Sequence, residues 1–223
     1  MYRPLGPVKY TFSFLWHFIF GGIFVSLAGS MCHFLYQWTN CNPVVGLFVA
    51  VNESTFEHTK ILVFPVLLFY VVDFAILNFP SFFYDRHSFI IELVAHTISA
   101  AVSACVGVFS VIAGYYVLSD WLHYEHMWSD ITLFVISAFV AQLMGWVCGS
   151  YLEPTLFKVI FAAFVILIIG FCHIHFTVSP PEWQFIFRDP RGFYGVPAEC
   201  SSLQFPSFSN KTGWLIKWPE RCI

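Results

Sequence analysis

Five long stretches of mostly apolar residues limit what this chain can fold into more than any other feature of its sequence. They cover residues 12–38, 60–80, 87–118, 130–151 and 155–178. A helix needs about 20 apolar residues to cross the hydrocarbon core of a bilayer, so each stretch is long enough to span one. The sequence therefore predicts an all-α fold, a polytopic membrane helix bundle of about five transmembrane helices.

The composition supports a lipid environment for these helices. Hydrophobic residues make up 58% of the 223-residue chain and charged residues only 10%, whereas soluble domains carry about 25% charged residues. A soluble globule of this size could not cover so much apolar surface, and lipid removes the need to cover it. No run of Lys and Arg suggests a nucleic-acid partner. The expected partners are membrane lipids and other membrane-protein subunits.

The spans and the segment that follows them predict two regions and an orientation. Residues 1–178 form the transmembrane helix bundle, and residues 179–223 form an irregular tail, rich in Pro and aromatic residues, on the membrane face. Loops on the cytoplasmic side of a membrane carry an excess of Lys and Arg. The basic residues on the side of the N-terminus are Arg3, Lys9, Arg86 and Lys158, and the opposite short loops contain only Lys60. Arg188 and Arg191 in the tail oppose this pattern weakly. The N-terminus is therefore expected on the cytoplasmic or matrix side and the tail on the opposite face.

The densest polar segment runs from Asn52 to Lys60, at the start of the second span. Ser54 and Glu57 have the spacing of a capping box, in which each side chain bonds a backbone amide at the helix start. We therefore expect Glu57→Ala to damage folding or assembly. A cap does not require Glu53 and His58, so Glu53, Glu57 and His58 are candidates for general acid–base catalysis.

Other titratable residues lie at helix ends on the same predicted face. They are His33, His123, Glu125, His126, Asp130, His173 and His175. Imidazole and carboxylate groups are the ligands that zinc and iron favour. The candidate ligands of a divalent metal are His58, His126, Asp130, His173 and His175. Two alternatives remain open: polar residues that simply meet water at helix ends, and a pocket for a lipid headgroup or small ligand.

A second polar group lies deeper in the predicted membrane region. Asp73 is roughly 10 Å from the near end of its span at about 1.5 Å per residue. His96 lies at a similar depth in the third span, with Glu92 one turn closer to the surface. Ionisable residues inside a membrane are costly, and they are usually paired or functional. Asp73 and His96 are predicted to pair, either as a structural lock between helices or in a proton- or ligand-related role.

Small residues and cysteines predict how the helices are held together. Gly22, Ser26, Gly29 and His33 share one face of the first span, and a Ser- and Gly-rich stripe follows Glu92 and His96 in the third. Such stripes let helix backbones approach closely in lipid, as a packing seam or less readily as a substrate path. Cys41, Cys200 and Cys222 share the tail's face, so a disulfide among them is expected if that face is oxidising.

Three segments resemble an uncharacterised membrane-protein family known mainly from bacteria. They are His33 to Trp38, Asn52 to Lys60, and the tail from Pro180-Pro181 through Phe187 to Gly195. The hallmark of that family looks like an Asn-Glu-Ser-x-Trp-Glu-His-x-Lys segment that opens the second helix, and this chain has Phe56 in place of the Trp. The resemblance covers residues 15–195. The resemblance implies that the polar segment is a shared feature of the family. No activity of the family can be transferred to this chain.

Three functions are compatible with these sequence features. The first is an accessory or structural subunit of a larger membrane complex, a mitochondrial inner-membrane complex among the candidates. It is favoured by the small-residue seams, the aromatic tail and the lack of a complete catalytic motif. The second is a small membrane enzyme, a metal-assisted hydrolase of a lipid-like substrate. It requires three of the candidate imidazoles to converge around a pocket. The third, a transporter, requires Asp73 and Glu92 to line a polar path.

Overall fold

A computed structural model describes residues 13–78, 81–124, 126–153, 155–182, 184–197 and 200. Among these residues there is no strand, and five helices are long and apolar enough to cross a membrane. They are α1 (Leu15–Trp38), α2 (Thr55–Asn78), α3 (Arg86–Trp121), α4 (Met127–Tyr151) and α5 (Leu156–Val178). The predicted all-α bundle with five spans is confirmed, and the chain has the architecture of a multi-pass integral membrane protein.

Shorter helical segments interrupt or connect the long helices. Helix α1 begins with the π-helical segment Leu15–Gly21, and α3 ends with another, Val117–Trp121. Short helices at Pro43–Gly46 and Ser81–Tyr84 lie in the connections. After α5 the described chain is irregular except for the 3-10 turn Phe185–Phe187.

Helix α2 begins at Thr55, earlier than the apolar stretch predicts. Ser54 Oγ accepts a hydrogen bond from the amide of Glu57 at 3.3 Å, which is the first half of the predicted capping box. The second half is wrong, because the amide of Ser54 donates to Asn52 Oδ1 at 2.8 Å. The Glu57 carboxylate instead accepts from the amide of Val51 at 3.0 Å. Apolar content alone does not mark this helix start because the first turn of α2 is polar.

Helix α3 lies at the centre of the bundle, where it contacts α2, α4 and α5. Small residues at its contacts leave no room for larger ones. A Cβ added at Gly145 would overlap Ser103 and Tyr70, and one added at Gly107 would overlap Leu62. The predicted small-residue stripe of α3 is therefore a packing seam of the kind that transmembrane helices use.

Helices α1 and α2 approach each other closely beside a proline. Pro65 lies inside α2 and has no amide hydrogen, so the carbonyl of Ile61, four residues earlier, lacks its helical donor. That carbonyl faces α1 at Gly29, where an added Cβ would overlap both Ile61 O and the ring of Phe134. Gly29 thus allows α1 to cover the point at which the hydrogen-bond ladder of α2 is interrupted.

Helix α5 is the most exposed of the five. Only 11% of its apolar stretch is buried against the rest of the chain, compared with 50% for α2. Its outward face carries large aromatic side chains, among them Phe157, Phe161, Phe164 and Phe171. A helix with such a face requires lipid or another protein around it, which agrees with its assignment as a membrane span.

Residues 184–197 and 200, which we call the cap, fold back over the start of α2. Asn52 Nδ2 donates to the carbonyl oxygen of Gly195 at 2.8 Å. The amide of Glu53 donates to Asp189 Oδ2 at 2.9 Å. The cap therefore holds the loop that precedes α2 through both a side chain and the backbone.

A disulfide between Cys41 and Cys200 fastens the cap to the connection between α1 and α2, with the two Cα atoms 5.6 Å apart. The sequence predicts a disulfide among Cys41, Cys200 and Cys222, and the first two form it. Cys222 lies outside the described residues.

Consecutive long helices run in opposite directions, which gives the bundle two distinct ends. We call the end with the start of α1 the N-terminal end, and the end with the start of α2 and the cap the cap end. Contacts between His17 and Asp73 lie at the N-terminal end, and those between Asn52 and Gly195 lie at the cap end. Which end faces the cytoplasm stays a prediction.

We expect Gly29→Ala to destabilise the bundle by about 1–3 kcal/mol, the usual result of overpacking a well-filled contact. The matched control is Gly170→Ala in α5, where an added Cβ meets nothing within 4 Å. Alanine is the better helix former, so the control should be neutral or slightly stabilising. The measurement is the thermal unfolding midpoint in detergent. Equal midpoints for the two variants would contradict the close α1–α2 contact.

Candidate functional site

A buried carboxylate on α2 brings three helices together near the N-terminal end. Asp73 Oδ2 lies 3.1 Å from His17 Nε2 on α1 and 2.9 Å from His96 Nε2 on α3. Asp73 Oδ1 accepts a hydrogen bond from Trp16 Nε1 at 2.6 Å. We call His17, Asp73 and His96 the Asp73 site. The side chain of Asp73 is fully buried, and those of the two histidines are 15% and 13% exposed.

Backbone carbonyls fix the orientation of both imidazoles in the Asp73 site. His17 Nδ1 lies 2.8 Å from the carbonyl oxygen of Ser13, and His96 Nδ1 lies 2.7 Å from that of Glu92. A carbonyl oxygen only accepts hydrogen bonds, so each Nδ1 carries the hydrogen. In a neutral imidazole Nε2 then has the lone pair. When both imidazoles are neutral, both lone pairs therefore face the same carboxylate oxygen.

Two lone pairs and a carboxylate oxygen can share one region of space only if a cation lies among them. The cation can be a proton on each imidazole or a single metal ion. Ligand atoms about 2.0–2.2 Å from a tetrahedral zinc ion lie roughly 3.3–3.6 Å from one another. The separations of 2.9 and 3.1 Å between Asp73 Oδ2 and the imidazoles are shorter than that range, so these side chains would move apart by a few tenths of an ångström to admit an ion. The residues of the Asp73 site could therefore hold a divalent ion.

Aromatic side chains surround the Asp73 site and limit the access of water. The ring of Phe69 packs edge-on to His17 with centroids 6.0 Å apart, and that of Phe74 packs against His96 at 5.4 Å. Glu92 lies on the outer side, with Oε2 3.9 Å from His96 Nδ1 and its side chain 48% exposed. Electrostatic interactions in such a water-poor site are stronger than at a surface.

Sequence reasoning identified part of the Asp73 site and missed the rest. Asp73, His96 and Glu92 are together in space as the predicted group, and their role stays a prediction. His17 was missed, although it is an ionisable residue inside a predicted span, the same signal that singled out His96. Trp16 was missed because a Trp near the start of a span is typical of a membrane interface.

A second group of the same composition lies at the cap end. Glu53 Oε2 lies 3.2 Å from His33 Nε2 and 3.6 Å from His58 Nε2, and the two imidazole centroids are 5.2 Å apart. We call these residues the Glu53 cluster. The hydrogen bond from His33, together with the charges of both histidines, holds the pKa of Glu53 below its ordinary value, although burial opposes this shift. The Glu53 side chain is 46% exposed, so water reaches this cluster.

Asp189 in the cap accepts a hydrogen bond from the backbone amide of Glu53. Arg191 Nε donates to Asp189 Oδ1 at 2.9 Å and Arg191 Nη2 to Oδ2 at 3.0 Å. Burial would raise the pKa of Asp189, but Arg191 and the amides of Glu53 and Arg191 outweigh it and lower the pKa. Asp189 is therefore an ionised anchor for the backbone of Glu53.

Glu57 forms a buried ion pair with Lys60 rather than joining the Glu53 cluster. Lys60 Nζ lies 2.6 Å from Glu57 Oε2 and also donates to the carbonyl oxygen of Gly46 at 2.8 Å and to Thr177 Oγ1 at 2.7 Å. The side chains of Glu57 and Lys60 are 4% and 0% exposed. This pair ties the start of α2 to α5 and to the connection after α1, which favours a structural role for Glu57.

The other predicted metal ligands lie apart from one another. His173 is buried and its Nε2 lies 2.9 Å from Thr59 Oγ1. His175 is exposed on α5, and His126 and Asp130 are exposed at the start of α4. Among the described residues, the only sets of three with ligand atoms within 4.8 Å of one another are the Asp73 site and the Glu53 cluster. His58 is thus the one predicted ligand that lies in such a set.

A model of a family of unknown function, DUF6512, matches residues 10–196 of the chain. No curated relative and no solved structure matches it. The matched range contains the Asp73 site, the Glu53 cluster and the cap as far as residue 196, and it agrees with the resemblance stated from residues 15–195. The predicted membership of an uncharacterised family is confirmed.

We expect Lys60→Met to destabilise the protein by about 3–5 kcal/mol, because it leaves the Glu57 carboxylate buried without its partner. The double variant Glu57→Gln with Lys60→Met removes both charges and should recover most of that loss, since the glutamine side chain keeps an acceptor for the amide of Val51. Glu57→Ala should also damage folding, through the ion pair rather than through a cap. Thermal unfolding of the single and double variants in detergent measures the coupling. Additive effects of the two changes would contradict a buried pair.

Proposed function

This chain belongs to the family of unknown function DUF6512, and we propose that it is a membrane metalloprotein whose Asp73 site binds a divalent transition-metal ion, zinc or iron. One observation carries the proposal. Two imidazoles, each oriented by a backbone carbonyl, direct Nε2 toward one oxygen of a buried carboxylate. Two histidines and a carboxylate are a ligand set that zinc and iron favour.

A metal ion can satisfy the Asp73 site without protonating either histidine. With protons alone and an ionised Asp73, both His17 and His96 must be imidazolium ions, because a neutral imidazole would direct its lone pair at the carboxylate. A single divalent ion binds all three ligand atoms at once and leaves the site with the same net charge.

The groups around the ligands have the arrangement that metal sites use. Metal-bound histidines usually donate their other ring N–H to a carbonyl or carboxylate, which fixes the ring. Ser13 and Glu92 supply those carbonyls. Trp16 donates to Asp73 Oδ1, which leaves Oδ2 directed at the imidazoles. Each ligand comes from a different helix, so a bound ion would also tie α1, α2 and α3 together.

The number of ligands favours a catalytic rather than a purely structural metal. Structural zinc sites have four protein ligands, whereas catalytic ones have three and leave a position for water or substrate. A metal with an open position supplies an activated water or polarises a carbonyl. Glu92, half exposed beside His96, is the nearest carboxylate that could exchange a proton with water. The candidate imidazoles His58, His126, His173 and His175 do not converge, so the enzyme hypothesis no longer rests on them. We infer instead, from the Asp73 site, a metal-assisted hydrolase of a membrane-soluble, lipid-like substrate.

The two other functions receive less support. An accessory subunit of a larger membrane complex is favoured by the broad aromatic face of α5, although lipid alone can cover such a face. A transporter needs Asp73 free to line a path, but the contacts of Trp16, His17 and His96 engage both of its oxygens. Recovery of the protein from native membranes in a defined complex would raise the subunit hypothesis above the enzyme.

We expect Asp73→Asn to remove one equivalent of bound zinc from the detergent-purified protein. Loss of an outer-shell partner alone weakens a metal site by about 10–100-fold, so loss of this ligand should weaken it by about 100-fold or more. The measurement is Zn²⁺ titration by calorimetry after chelation, with elemental analysis of the bound metal. The matched control is His87→Ala, an exposed histidine at the same end of the bundle.

Trp16→Phe provides a second variant that keeps all three ligands. It should fold normally and weaken zinc binding at the Asp73 site by about 10–100-fold. If Asp73→Asn and Trp16→Phe both bind zinc as the wild type does, the proposed metal site is wrong. Hydrolysis of model lipid esters that depends on both Asp73 and added Zn²⁺ would support the reaction class, and lack of it in the metal-loaded protein would contradict it.

A further inference from the structure

We propose that the Glu53 cluster is a second site for a divalent transition-metal ion, open to water at the cap end and independent of the Asp73 site. Its three ligand atoms are His33 Nε2, His58 Nε2 and Glu53 Oε2, with the carboxylate oxygen 3.2 and 3.6 Å from the two nitrogens. The ligand atoms all lie within 4.8 Å of one another. This proposal rests on its own contacts and does not require the Asp73 site to bind metal.

The backbone orients His58 toward the carboxylate, as it does the histidines of the Asp73 site. His58 Nδ1 lies 2.9 Å from the carbonyl oxygen of Ser54, so Nδ1 carries the hydrogen and Nε2 has the lone pair. An ionised carboxylate has no hydrogen to donate to Nε2. The lone pair of His58 Nε2 and the Glu53 carboxylate, 3.6 Å apart, therefore face each other as two electron-pair donors.

The cap fixes the backbone at Glu53 from outside the cluster. The amide of Glu53 donates to Asp189 Oδ2 at 2.9 Å, and the neighbouring Asn52 side chain donates to Gly195 O at 2.8 Å. The Cys41–Cys200 disulfide fastens the same cap to the connection that precedes Glu53. Preorganised ligands lose less entropy when they bind an ion than ligands on a loose loop. The position of Glu53 is thus built into the fold.

The two sites differ in their access to water and cannot share an ion. The side chains of His33, Glu53 and His58 are 26%, 46% and 29% exposed, whereas Asp73 is fully buried. His17 and His33 lie about four turns apart on α1. At about 1.5 Å per residue, this separates the two sites by roughly 24 Å along the helix axis. We infer that the Glu53 cluster exchanges its ion with the surrounding water and binds it more weakly than the Asp73 site.

The test compares zinc binding to the full-length wild type with that to Glu53→Gln, a variant of equal size that keeps the backbone bond to Asp189. The protein is purified in detergent, stripped with a chelator and titrated with Zn²⁺ alone. We expect Glu53→Gln to lose the weaker equivalent of zinc, with an affinity at least tenfold lower there, and to keep the tighter one. His175→Ala, an exposed histidine at the same end on α5, should bind as the wild type does.

The variant His33→Gln and the spectroscopic probe Co²⁺ test the same site in two further ways. His33→Gln removes a partly exposed ligand without touching α2, and it should abolish the same equivalent of zinc. Visible absorption of Co²⁺ bound at this site should disappear in both variants. Equal zinc stoichiometry and affinity in the wild type, Glu53→Gln and His33→Gln would overturn the second site and mark any weak binding as adventitious. Loss of zinc in Asp73→Asn alone would uphold the first site and overturn this one.

Discussion

The carboxylate of Asp73 is the constraint on which the arrangement of the first three helices depends. A carboxylate inside a membrane-spanning helix is stable only if neighbouring groups compensate its charge. Trp16, His17 and His96 do so, and they come from the two helices that flank α2. The same contacts fix how deeply α1 and α3 lie relative to α2, since a shift by one turn would move each imidazole about 5.4 Å away from its carboxylate oxygen. The packing seam of α3 can then form along the remaining length of the helix.

At the cap end, too, a buried charge is compensated by its neighbours, here through an ion pair between two buried side chains. Lys60 and Glu57 are buried together, and a carbonyl of the preceding connection and a hydroxyl of α5 complete the hydrogen bonds of the ammonium group. Breaking such a pair is far more costly than keeping it, so the pair fixes the start of α2 against α5. The polar segment from Asn52 to Lys60 therefore contains two devices at once. Glu57 and Lys60 anchor the fold, while Glu53 and His58 point their polar atoms at each other where water has access.

Hydropathy and helix geometry explain how much of this structure the sequence predicts. The five spans follow from apolar length, and the contact of Asp73 with His96 follows from equal depth on neighbouring helices. Depth, however, says nothing about rotation around the helix axis. His126, His173 and His175 share the predicted face with His58, yet they point to different neighbours because each helix is turned independently. The spacing of Glu57 and Lys60 predicts their contact on one helix face, but not its burial, since that depends on how the first turn of α2 packs against α5. The role of His17 could have been predicted from the sequence, because His17 is an ionisable residue inside a predicted span, as His96 is.

The Cys41–Cys200 disulfide has a consequence for the topology of the whole molecule. Such bonds persist in exoplasmic compartments and are rare where thiols are kept reduced. A cross-linked cap therefore favours an exoplasmic position for the start of α2. Arg3, Lys9, Arg86 and Lys158 predict the same orientation, and Arg188 and Arg191 in the cap itself oppose it. In that orientation the Glu53 cluster faces the fluid outside the membrane, and the Asp73 site lies nearer the opposite leaflet. The two sites would then draw ions from different aqueous compartments, one on each side of the membrane.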